Sequence, residues 1–340
     1  MSVLFVELSK LFRLADLSAY DVCHEKCVFD PFRHVYRSGK MTLMKTLIGS
    51  SCSYDCLYCY SAWNRGFRAT PDEISRFFTL MRENGIVKGA FISNSISDPE
   101  KSMNEILEAG ELIRKDFRGY LHLKIIPGCN RDQIERAVEL ADRVSLNLET
   151  PSFSILSELC STKSGTDFLR TLRNAINLAR KHGKSFTTQL IAGVGETDRQ
   201  ILNVAERLYM RGASRVYYSP FRPVKNTPLE RKSPERKKRI ANLYRADALI
   251  RLYGFSAKKL SDVMDSEFLP DVDPKILLAM EKITTGMEIA PIETPGTGLK
   301  KAKLIEKGLT LLDLKKRGLS IKRESAFIKS QKRLSDFFVC

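Results

Sequence analysis

From about residue 44 to residue 219, short apolar runs rich in β-branched residues alternate with longer amphipathic segments. The apolar runs predict six strands, at residues 43–48, 89–93, 120–125, 143–148, 186–191 and 215–218. The segments between them predict helices, at residues 71–84, 101–114, 131–141, 167–182 and 198–211. Strands and helices that alternate in this way form either an open doubly wound sheet or a partial barrel. We therefore predict an α/β fold whose functional residues lie at the C-terminal ends of the strands.

The charge balance indicates a polyanionic partner. Lys and Arg number 56 against 40 Asp and Glu, which gives a net charge of +16 and an isoelectric point near 9.5. A surface of this sign attracts nucleic acid, so nucleic acid is the first partner we expect. Since no run of about 18 apolar residues occurs, we expect no membrane-spanning helix, no membrane partner and a cytoplasmic location.

The alternation stops after Ser219, which suggests a change of domain. Four prolines between residues 220 and 234 predict a loop, and a helix is expected at residues 237–253. Residues 299–340 hold 12 Lys or Arg and four acidic residues, half of the whole positive excess. We therefore predict an N-terminal extension at residues 1–40, an α/β domain at 41–255 and a small basic helical domain at 256–340.

Three of the eight cysteines follow the first predicted strand with the spacing Cys-x3-Cys-x2-Cys, at Cys52, Cys56 and Cys59. In a reducing compartment such a group is considered first as a metal site. A four-iron cluster needs four ligands, so three cysteines leave one iron open to a non-protein ligand. A zinc site would need a fourth Cys or His nearby, and none follows closely. The intervening Ser, Tyr and Asp disfavour the remaining alternative, three buried thiols in a core turn.

The spacing of these cysteines, and their position after the first strand, resemble those of the radical SAM superfamily, which folds as a partial TIM barrel, here with about six β-α units. The resemblance implies that Cys52, Cys56 and Cys59 hold a 4Fe-4S cluster whose open iron chelates S-adenosylmethionine. It also implies contacts with the cofactor at the strand ends. The adenine would be contacted by Tyr58 and by the motif that contains Gln189 and Gly193. Ser93 and Asn94 would lie near the methionine amino group, and Asn147 and Glu149 would contact the ribose or the methionyl moiety. Alternatively, Asn147 and Glu149 satisfy a strand end, and Gly193 belongs to an ordinary Gly-rich turn.

The same resemblance implies radical chemistry on a substrate held over the barrel. A reduced cluster donates one electron into the sulfonium, and the released 5′-deoxyadenosyl radical abstracts hydrogen from the substrate. An electron donor protein is then an expected partner. The predicted lining of the cavity is His122, Lys124, Tyr217 and Tyr218, although His122 fits a satisfied barrel histidine equally well.

The remaining cysteines give weaker signals. Cys23 and Cys27, with His24 between them, fit inert thiols better than a second metal site or a cluster lid. The other cysteines are isolated in sequence and support no ligand assignment, at Cys129, Cys160 and Cys340.

Near the C-terminus, the segment at 292–305 has a Pro-Gly-x-Gly turn followed by a predicted helix, and it resembles the helix-hairpin-helix motif, a non-sequence-specific nucleic-acid binder. Gly296 and Gly298 would let the backbone approach a phosphate, and Lys300, Lys301 and Lys303 would supply positive charge beside it. The alternative is a tight turn between helices with a solvated lysine face.

Together, the two motifs and the segments 120–128, 215–219 and 252–255 resemble the radical SAM proteins assigned to DNA modification or repair, which pair the barrel with a terminal helix-hairpin-helix domain. The expected function is therefore radical SAM modification or repair of nucleic acid, with DNA preferred over RNA by this resemblance. Two alternatives stay open, a radical SAM enzyme that modifies tRNA or another RNA, and a non-catalytic iron-sulfur protein that binds nucleic acid.

Overall fold

A computed structural model of the chain describes residues 2–17, 28–30, 35–38, 41–64, 66–163 and 165–320. The strands within these ranges are β1 (Val28–Asp30), β2 (Val35–Ser38), β3 (Met41–Leu47), β4 (Gly89–Ser93), β5 (Tyr120–Lys124), β6 (Arg143–Ser145), β7 (Ser185–Ala192) and β8 (Arg215–Pro220). Four residues discussed above lie outside the described residues, namely Cys23, His24, Cys27 and Cys340.

In the described part of the first two thirds of the chain, the helices include the five that the amphipathic segments predict and three others, at residues 2–17, 60–63 and 153–159, that they do not. They are α1 (Ser2–Leu17), α2 (Tyr60–Trp63), α3 (Pro71–Glu83), α4 (Pro99–Asp116), α5 (Arg131–Leu140), α6 (Phe153–Leu159), α7 (Gly165–Lys181) and α8 (Asp198–Met210). Helix α3 shows why the positions agree: the Thr70 side chain accepts a hydrogen bond from the Glu73 backbone N–H at 3.2 Å, and the Glu73 carboxylate accepts from the Thr70 N–H at 2.6 Å. This capping box and Pro71 are local signals that fix the start of the helix.

The strands form one sheet in sequence order from β1 to β8. Strands β3 to β8 are parallel, and the sheet curls into a half-barrel, which confirms the predicted α/β partial barrel with six β-α units. Strands β1 and β2 add an antiparallel extension at the β3 edge that the sequence did not predict. They are three and four residues long, too short to give a recognisable alternation of polar and apolar residues.

The two faces of the sheet differ in character. A Cβ atom on Gly110 of α4 would lie 3.2 Å from the Leu123 side chain, so Leu123 and the residues in register with it face the helices. Tyr218 pairs with Leu190 on this helix-facing side and is fully buried, so the prediction that it lines the cavity is wrong. Successive residues of a strand point to opposite faces, and therefore Tyr217 and Tyr218 cannot both line the cavity.

The opposite face, which we call the inner face, carries His122 and Tyr217. The His122 ring stacks on Phe91 with centroids 3.9 Å apart, and its Nε2 lies 2.8 Å from the Ser145 hydroxyl. Lys124, two residues after His122, shares this face. His122 is thus a hydrogen-bonded barrel histidine, the second of the two interpretations that the sequence allowed.

Strand β6 is shorter than the predicted 143–148. Beyond Ser145, the Leu148 N–H donates to the Thr188 hydroxyl at 3.1 Å and not to a backbone carbonyl of β7. Glu149 then rejoins β7 as an isolated bridge opposite Leu190. The end of this strand is therefore displaced locally where the site begins.

The chain forms two compact units, one of residues 1–196 and 207–236 and one of residues 197–206 and 237–340. The second unit contains α9 (Lys237–Tyr253), α10 (Ala257–Ser261), α11 (Pro274–Thr284), α12 (Leu299–Glu306) and α13 (Leu311–Lys316). The predicted α/β domain includes residues 237–255, but α9 packs against α11 and so belongs to the second unit.

In the part of the chain that the structure describes, no helix is both long enough and apolar enough to cross a membrane.

Candidate functional site: the cysteine loop

The loop that carries Cys52, Cys56 and Cys59 leaves β3 at the C-terminal edge of the parallel strands. Backbone hydrogen bonds fix it at both ends: the Cys52 N–H donates to the Ser61 carbonyl at 2.8 Å, and the Ser53 N–H donates to the Ile96 carbonyl at 2.7 Å. The loop closes on itself at Gly66, where a Cβ atom would lie 2.4 Å from the backbone carbon of Ser50. A side chain at position 66 would therefore force the loop apart.

The three cysteines differ in exposure, since Cys56 is buried and Cys52 and Cys59 are partly exposed. Cys59 is also the residue before α2, and its N–H donates to the Cys56 carbonyl at 3.1 Å. No group of three or more His, Cys, Asp or Glu side chains within the described ranges converges on one metal ion. In a four-iron cluster each thiolate binds a different iron, so the three sulfurs need not meet at one point.

Asp55, which lies between Cys52 and Cys56, anchors the cysteine loop to the segment that follows α6. Its carboxylate accepts hydrogen bonds from the Ser161 N–H at 3.2 Å and from the Thr162 N–H at 3.1 Å and hydroxyl at 2.8 Å. The Ser161 hydroxyl donates to it as well. These hydrogen bonds hold the pKa of Asp55 well below its usual value, and the bond from the Ser161 side chain has the largest effect. Asp55 is a residue whose role the sequence motif alone did not reveal.

The Asp55 contacts bring Cys160 against the cysteine loop. The Cys160 and Cys56 sulfur atoms are 3.2 Å apart, and both residues are buried. The hydrogen bond between them raises the pKa of Cys56, as does burial, and it lowers the pKa of Cys160 to about 7. The sequence does not assign Cys160, because 104 residues separate the two cysteines and no local pattern indicates such a contact.

Lys163 is a second residue that the motifs did not identify. Its side chain is 7% exposed, and its Nζ lies 3.9 Å from the Glu149 Oε1. Burial by itself would lower the pKa of Lys163, but electrostatic interaction with Cys56 and with the Glu149 carboxylate raises it above the ordinary value. A buried, charged ammonium group therefore stands beside the cysteines and next to a carboxylate.

Glu149 occupies a strained backbone conformation, with φ at +66°, which residues other than glycine seldom adopt. Two hydrogen bonds to β7 hold it there: its N–H donates to the Gln189 carbonyl at 2.9 Å, and its carbonyl accepts from the Ile191 N–H at 2.7 Å. The structure thus places Glu149 and Gln189 together at the strand ends, as the sequence analysis expected of cofactor residues. Asn147, two residues earlier, is partly buried.

Tyr58 packs against an apolar cluster at the same edge, formed by Ile155, Leu159, Ile191, Val194 and Phe221. Burial raises the pKa of the Tyr58 phenol well above its ordinary value. The loop at Gly193 borders this cluster through Val194 and is shaped by Glu196, whose carboxylate accepts from the N–H groups of Gly193 and Val194, both at 2.8 Å. Gly193 has φ +102°, and a Cβ atom there would lie 2.8 Å from Glu235. The Gly-rich turn is therefore a structural requirement.

Two polar side chains follow β4: Asn94 is hydrogen-bonded, and the Ser95 hydroxyl is not. The Asn94 amide accepts from the Gly49 N–H at 2.9 Å and donates to the Glu105 carboxylate at 2.8 Å, so Asn94 ties the start of the cysteine loop to α4. Ser93 is buried, and its carbonyl accepts from the Ile48 N–H. The Ser95 hydroxyl is buried and has no hydrogen-bond partner within the described structure. A buried polar atom in this state fits a site that receives a polar ligand.

In the second unit, the turn at residues 295–298 leads into α12. Gly296 has φ +83°, and Gly298 is the residue before the helix, with no side chain to cover its first N–H groups. Lys300 and Lys303 are exposed. Lys301 instead braces the turn, since its Nζ donates to the Gly296 carbonyl at 3.0 Å and the Ser320 carbonyl at 2.8 Å. Before the turn, residues 291–293 form a single turn, shorter than the helix that the hairpin motif implies.

Sequence comparisons relate this chain to known proteins. Residues 46–208 match the sequence model described as "Radical SAM superfamily". Biotin synthase of Leptospira biflexa serovar Patoc is 25% identical over 228 residues, which cover 63% of this chain and 62% of the relative. Biotin synthase of Desulfatibacillum aliphaticivorans is 28% identical over 204 residues, 57% of this chain and 60% of the relative. These matches thus span less than two thirds of either relative.

Solved structures support the fold. Methylornithine synthase (PylB) superposes with a TM-score of 0.51 at 16% identity and covers 71% of this chain and 68% of that structure. The FeFe-hydrogenase maturase HydG from Carboxydothermus hydrogenoformans also gives a TM-score of 0.51, at 18% identity, over 62% of this chain and 51% of that structure. At these identities the likeness concerns the fold and not the substrate.

Proposed function

We propose that the chain is a radical SAM enzyme that acts on nucleic acid, and the match of residues 46–208 to the sequence model of that superfamily supports the first part of this proposal. The observation that carries the enzyme assignment is the cysteine loop at the C-terminal edge of the half-barrel, beside a buried cation and carboxylate. The radical SAM family uses a 4Fe-4S cluster and S-adenosylmethionine. When bound, the cluster supplies the electron that cleaves a carbon-sulfur bond of S-adenosylmethionine and releases the 5′-deoxyadenosyl radical.

The residues around the loop fit the parts of this cofactor pair. Cys52, Cys56 and Cys59 would hold the cluster. The Lys163 ammonium suits the methionine carboxylate, and the adjacent Glu149 carboxylate suits the methionine ammonium or a ribose hydroxyl. Hydrogen-bond capacity for a further polar group is available at the Ser95 hydroxyl.

The adenine would lie against Tyr58 and the apolar cluster that contains Ile191 and Val194. This arrangement supports the expected roles of Tyr58, Gln189 and Gly193, although Gly193 acts through the shape of its turn. For Asn94, the contacts to Gly49 and Glu105 support a role in fixing the start of the cysteine loop.

Nucleic acid as the substrate class is supported by charge and by the turn at residues 295–298. The curated relatives are named for biotin synthesis, a small-molecule reaction. This chain instead carries a net charge of +16, half of it in residues 299–340. The uncapped start of α12 and the exposed Lys300 and Lys303 offer N–H groups and positive charge to a phosphate backbone. By resemblance to proteins assigned to DNA modification or repair, we take DNA as the first candidate.

The test is anaerobic reconstitution of the full chain with iron and sulfide, followed by measurement of 5′-deoxyadenosine with duplex DNA, single-stranded DNA, tRNA or no nucleic acid. The expected result is cleavage of S-adenosylmethionine that duplex DNA stimulates and that produces a modified nucleotide detectable by mass spectrometry. Stimulation by tRNA alone would favour an RNA-modifying enzyme. Absence of cleavage by the reduced, cluster-loaded protein would favour a non-catalytic iron-sulfur protein.

Cysteine variants test the ligand assignment directly. Cys56→Ala should abolish the iron-sulfur absorbance and the production of 5′-deoxyadenosine, because each thiolate is one of only three protein ligands. Cys129→Ala is the matched control, since Cys129 is also a buried free cysteine and lies outside the loop. Assembly of a functional four-iron cluster in the Cys56→Ala protein would show that the ligand assignment is wrong.

A further inference from the structure

The contact between Cys56 and Cys160 is not explained by cluster binding. We propose that Cys160 is the oxidation partner of Cys56: in the cluster-free protein the two thiols form a disulfide, which withholds Cys56 from the cluster until the bond is reduced. The inference rests on the proposed role of Cys56 as a cluster ligand. It assigns Cys160 a function that the cysteine motif does not imply.

The distance between the two sulfur atoms selects this pair. At 3.2 Å, the Cys56 and Cys160 sulfurs are about 1.2 Å from the length of a disulfide bond, which is about 2.05 Å. Among the cysteines that the structure describes, these are the two whose sulfurs lie within hydrogen-bonding distance of each other. A cluster ligand on a different iron would need to stand farther from Cys56, so Cys160 does not fit the open iron.

The backbone on both sides of the pair is held in place. The Leu57 N–H donates to the Leu159 carbonyl at 2.8 Å, one residue away from each cysteine. The Asp55 carboxylate binds residues 161 and 162 from the other side. The Cys160 thiol itself lies 3.2 Å from the Asp55 carboxylate. Contacts on both sides of the two cysteines therefore hold them next to each other in the folded protein.

The chemistry requires an oxidant, and we take hydrogen peroxide. One thiol is oxidised to a sulfenic acid as the peroxide is reduced to water. The second thiol then attacks the sulfenic sulfur, the S–S bond forms, and a second water leaves. Reduction by a dithiol returns two thiols and a dithiol-derived disulfide. With Cys56 in the disulfide, two cysteines stay available to the cluster, fewer than the three it requires.

The bond is detected by peptide mapping. Cluster-free protein is treated with stoichiometric hydrogen peroxide, alkylated and digested with trypsin, which cuts after Lys and Arg and so yields peptides 46–65 and 144–163. The first contains Cys52, Cys56 and Cys59, and the second contains Cys160. We expect the two peptides to be linked, with fragmentation assigning the bond to Cys56 and Cys160. A disulfide confined to peptide 46–65, or no disulfide at all, would overturn the inference.

Iron binding gives the second measurement. After peroxide treatment, the wild-type protein should bind little iron, and a dithiol should restore its capacity. Cys160→Ser and Cys160→Ala should bind iron after the same treatment without the dithiol, while Cys129→Ser should behave like the wild type. Two substitutions at position 160, with thermal unfolding recorded for each, separate loss of the thiol from a folding defect.

The outcomes distinguish the two proposals. If the reduced wild-type protein binds iron but peroxide blocks Cys160→Ser equally, Cys160 is not the partner and the ligand assignment stands. If the reduced wild-type protein binds no iron, the ligand assignment of Cys56 fails, and this inference fails with it.

Discussion

Glu149 and Lys163 place opposite charges at the edge of the half-barrel where the cysteine loop lies. Glu149 has a φ of +66°, a conformation that costs of order 1 to 3 kcal/mol and persists only where the surroundings enforce it. The surroundings are the two hydrogen bonds to β7, which direct the Glu149 carboxylate toward Lys163. Strain maintained by neighbouring contacts is typical of functional sites, and it supports a role for this pair in cofactor binding.

At the scale of single residues, Lys163→Met and Glu149→Ala should each weaken binding of S-adenosylmethionine without changing iron content. Removing one hydrogen bond to a charged group costs about 1 to 3 kcal/mol, or roughly tenfold to a hundredfold in affinity. Equilibrium dialysis of the anaerobic, cluster-loaded proteins measures the change. Lys115→Met and Glu158→Ala remove exposed charges of the same sign and should leave the affinity unaltered. Equal affinity in all four variants would exclude the proposed contacts.

At the scale of elements, Glu293 joins three segments of the second unit. Its carboxylate accepts hydrogen bonds from the Lys259 Nζ at 2.7 Å, the Lys282 Nζ at 2.6 Å and the Ala290 N–H at 2.9 Å. Partial burial would raise the pKa of Glu293, but the hydrogen bonds from the two lysines outweigh it and lower the pKa to about 2. The lysines come from α10 and α11, so this carboxylate holds the segment before α12 against both helices.

Glu293→Gln should therefore destabilise the protein at pH 7 by about 1 to 2 kcal/mol, the usual value of hydrogen bonds to a charged group that is partly screened by water. Because the folded-state pKa lies below the unfolded value of 4.5, the wild type should keep this advantage above about pH 5 and lose it as the pH falls toward 2. Urea unfolding of both proteins from pH 7 to pH 2 checks the result. Glu288→Gln, at an exposed carboxylate, is the control, and a pH-independent difference would contradict the assignment.

Contacts within the second unit make truncation a poor test of the basic C-terminal segment. The Lys275 Nζ donates to the Thr297 carbonyl at 2.6 Å, and Glu293 is held by Lys259 and Lys282. A truncation before Pro291 would remove partners of these three lysines, so it would disturb the fold of the unit along with its charge. Neutralising exposed lysines is the cleaner experiment.

At the scale of the whole molecule, the positive excess should appear as salt-dependent binding to duplex DNA. Replacing Lys300 and Lys303 by Gln should lower the slope of log K against log salt by up to about 0.9 for each lysine that contacts a phosphate. Lys88→Gln with Lys115→Gln removes the same charge from exposed positions of the first unit and should change the slope less. Lys301→Gln should instead reduce stability, because Lys301 braces the turn. Equal slopes for both double variants would place the contact with nucleic acid elsewhere.

Much of the fold could be predicted from sequence because its signals are local. The period-2 and period-3.6 patterns located the six parallel strands and the helices between them, and the capping box located the start of α3. The spacing of Cys52, Cys56 and Cys59 identified the loop for the same reason, since three cysteines within eight residues necessarily lie close together. Alternation also limits each strand to one inward residue of every two, which is why Tyr218 could not line the cavity with Tyr217.

Contacts between residues far apart in the chain could not be predicted from the sequence. Cys160 contacts Cys56, although 104 residues separate them in the chain. Lys163 lies beside the Glu149 carboxylate and the cysteines only because α6 returns the chain to the edge of the half-barrel. The positive φ of Glu149 is held by backbone hydrogen bonds to Gln189 and Ile191 of a neighbouring strand. Local sequence determines which elements form, since their signals lie within a few residues. The partners of a buried charge or thiol are set by packing, because the low-dielectric interior makes each such group depend on whichever chain segment lies beside it.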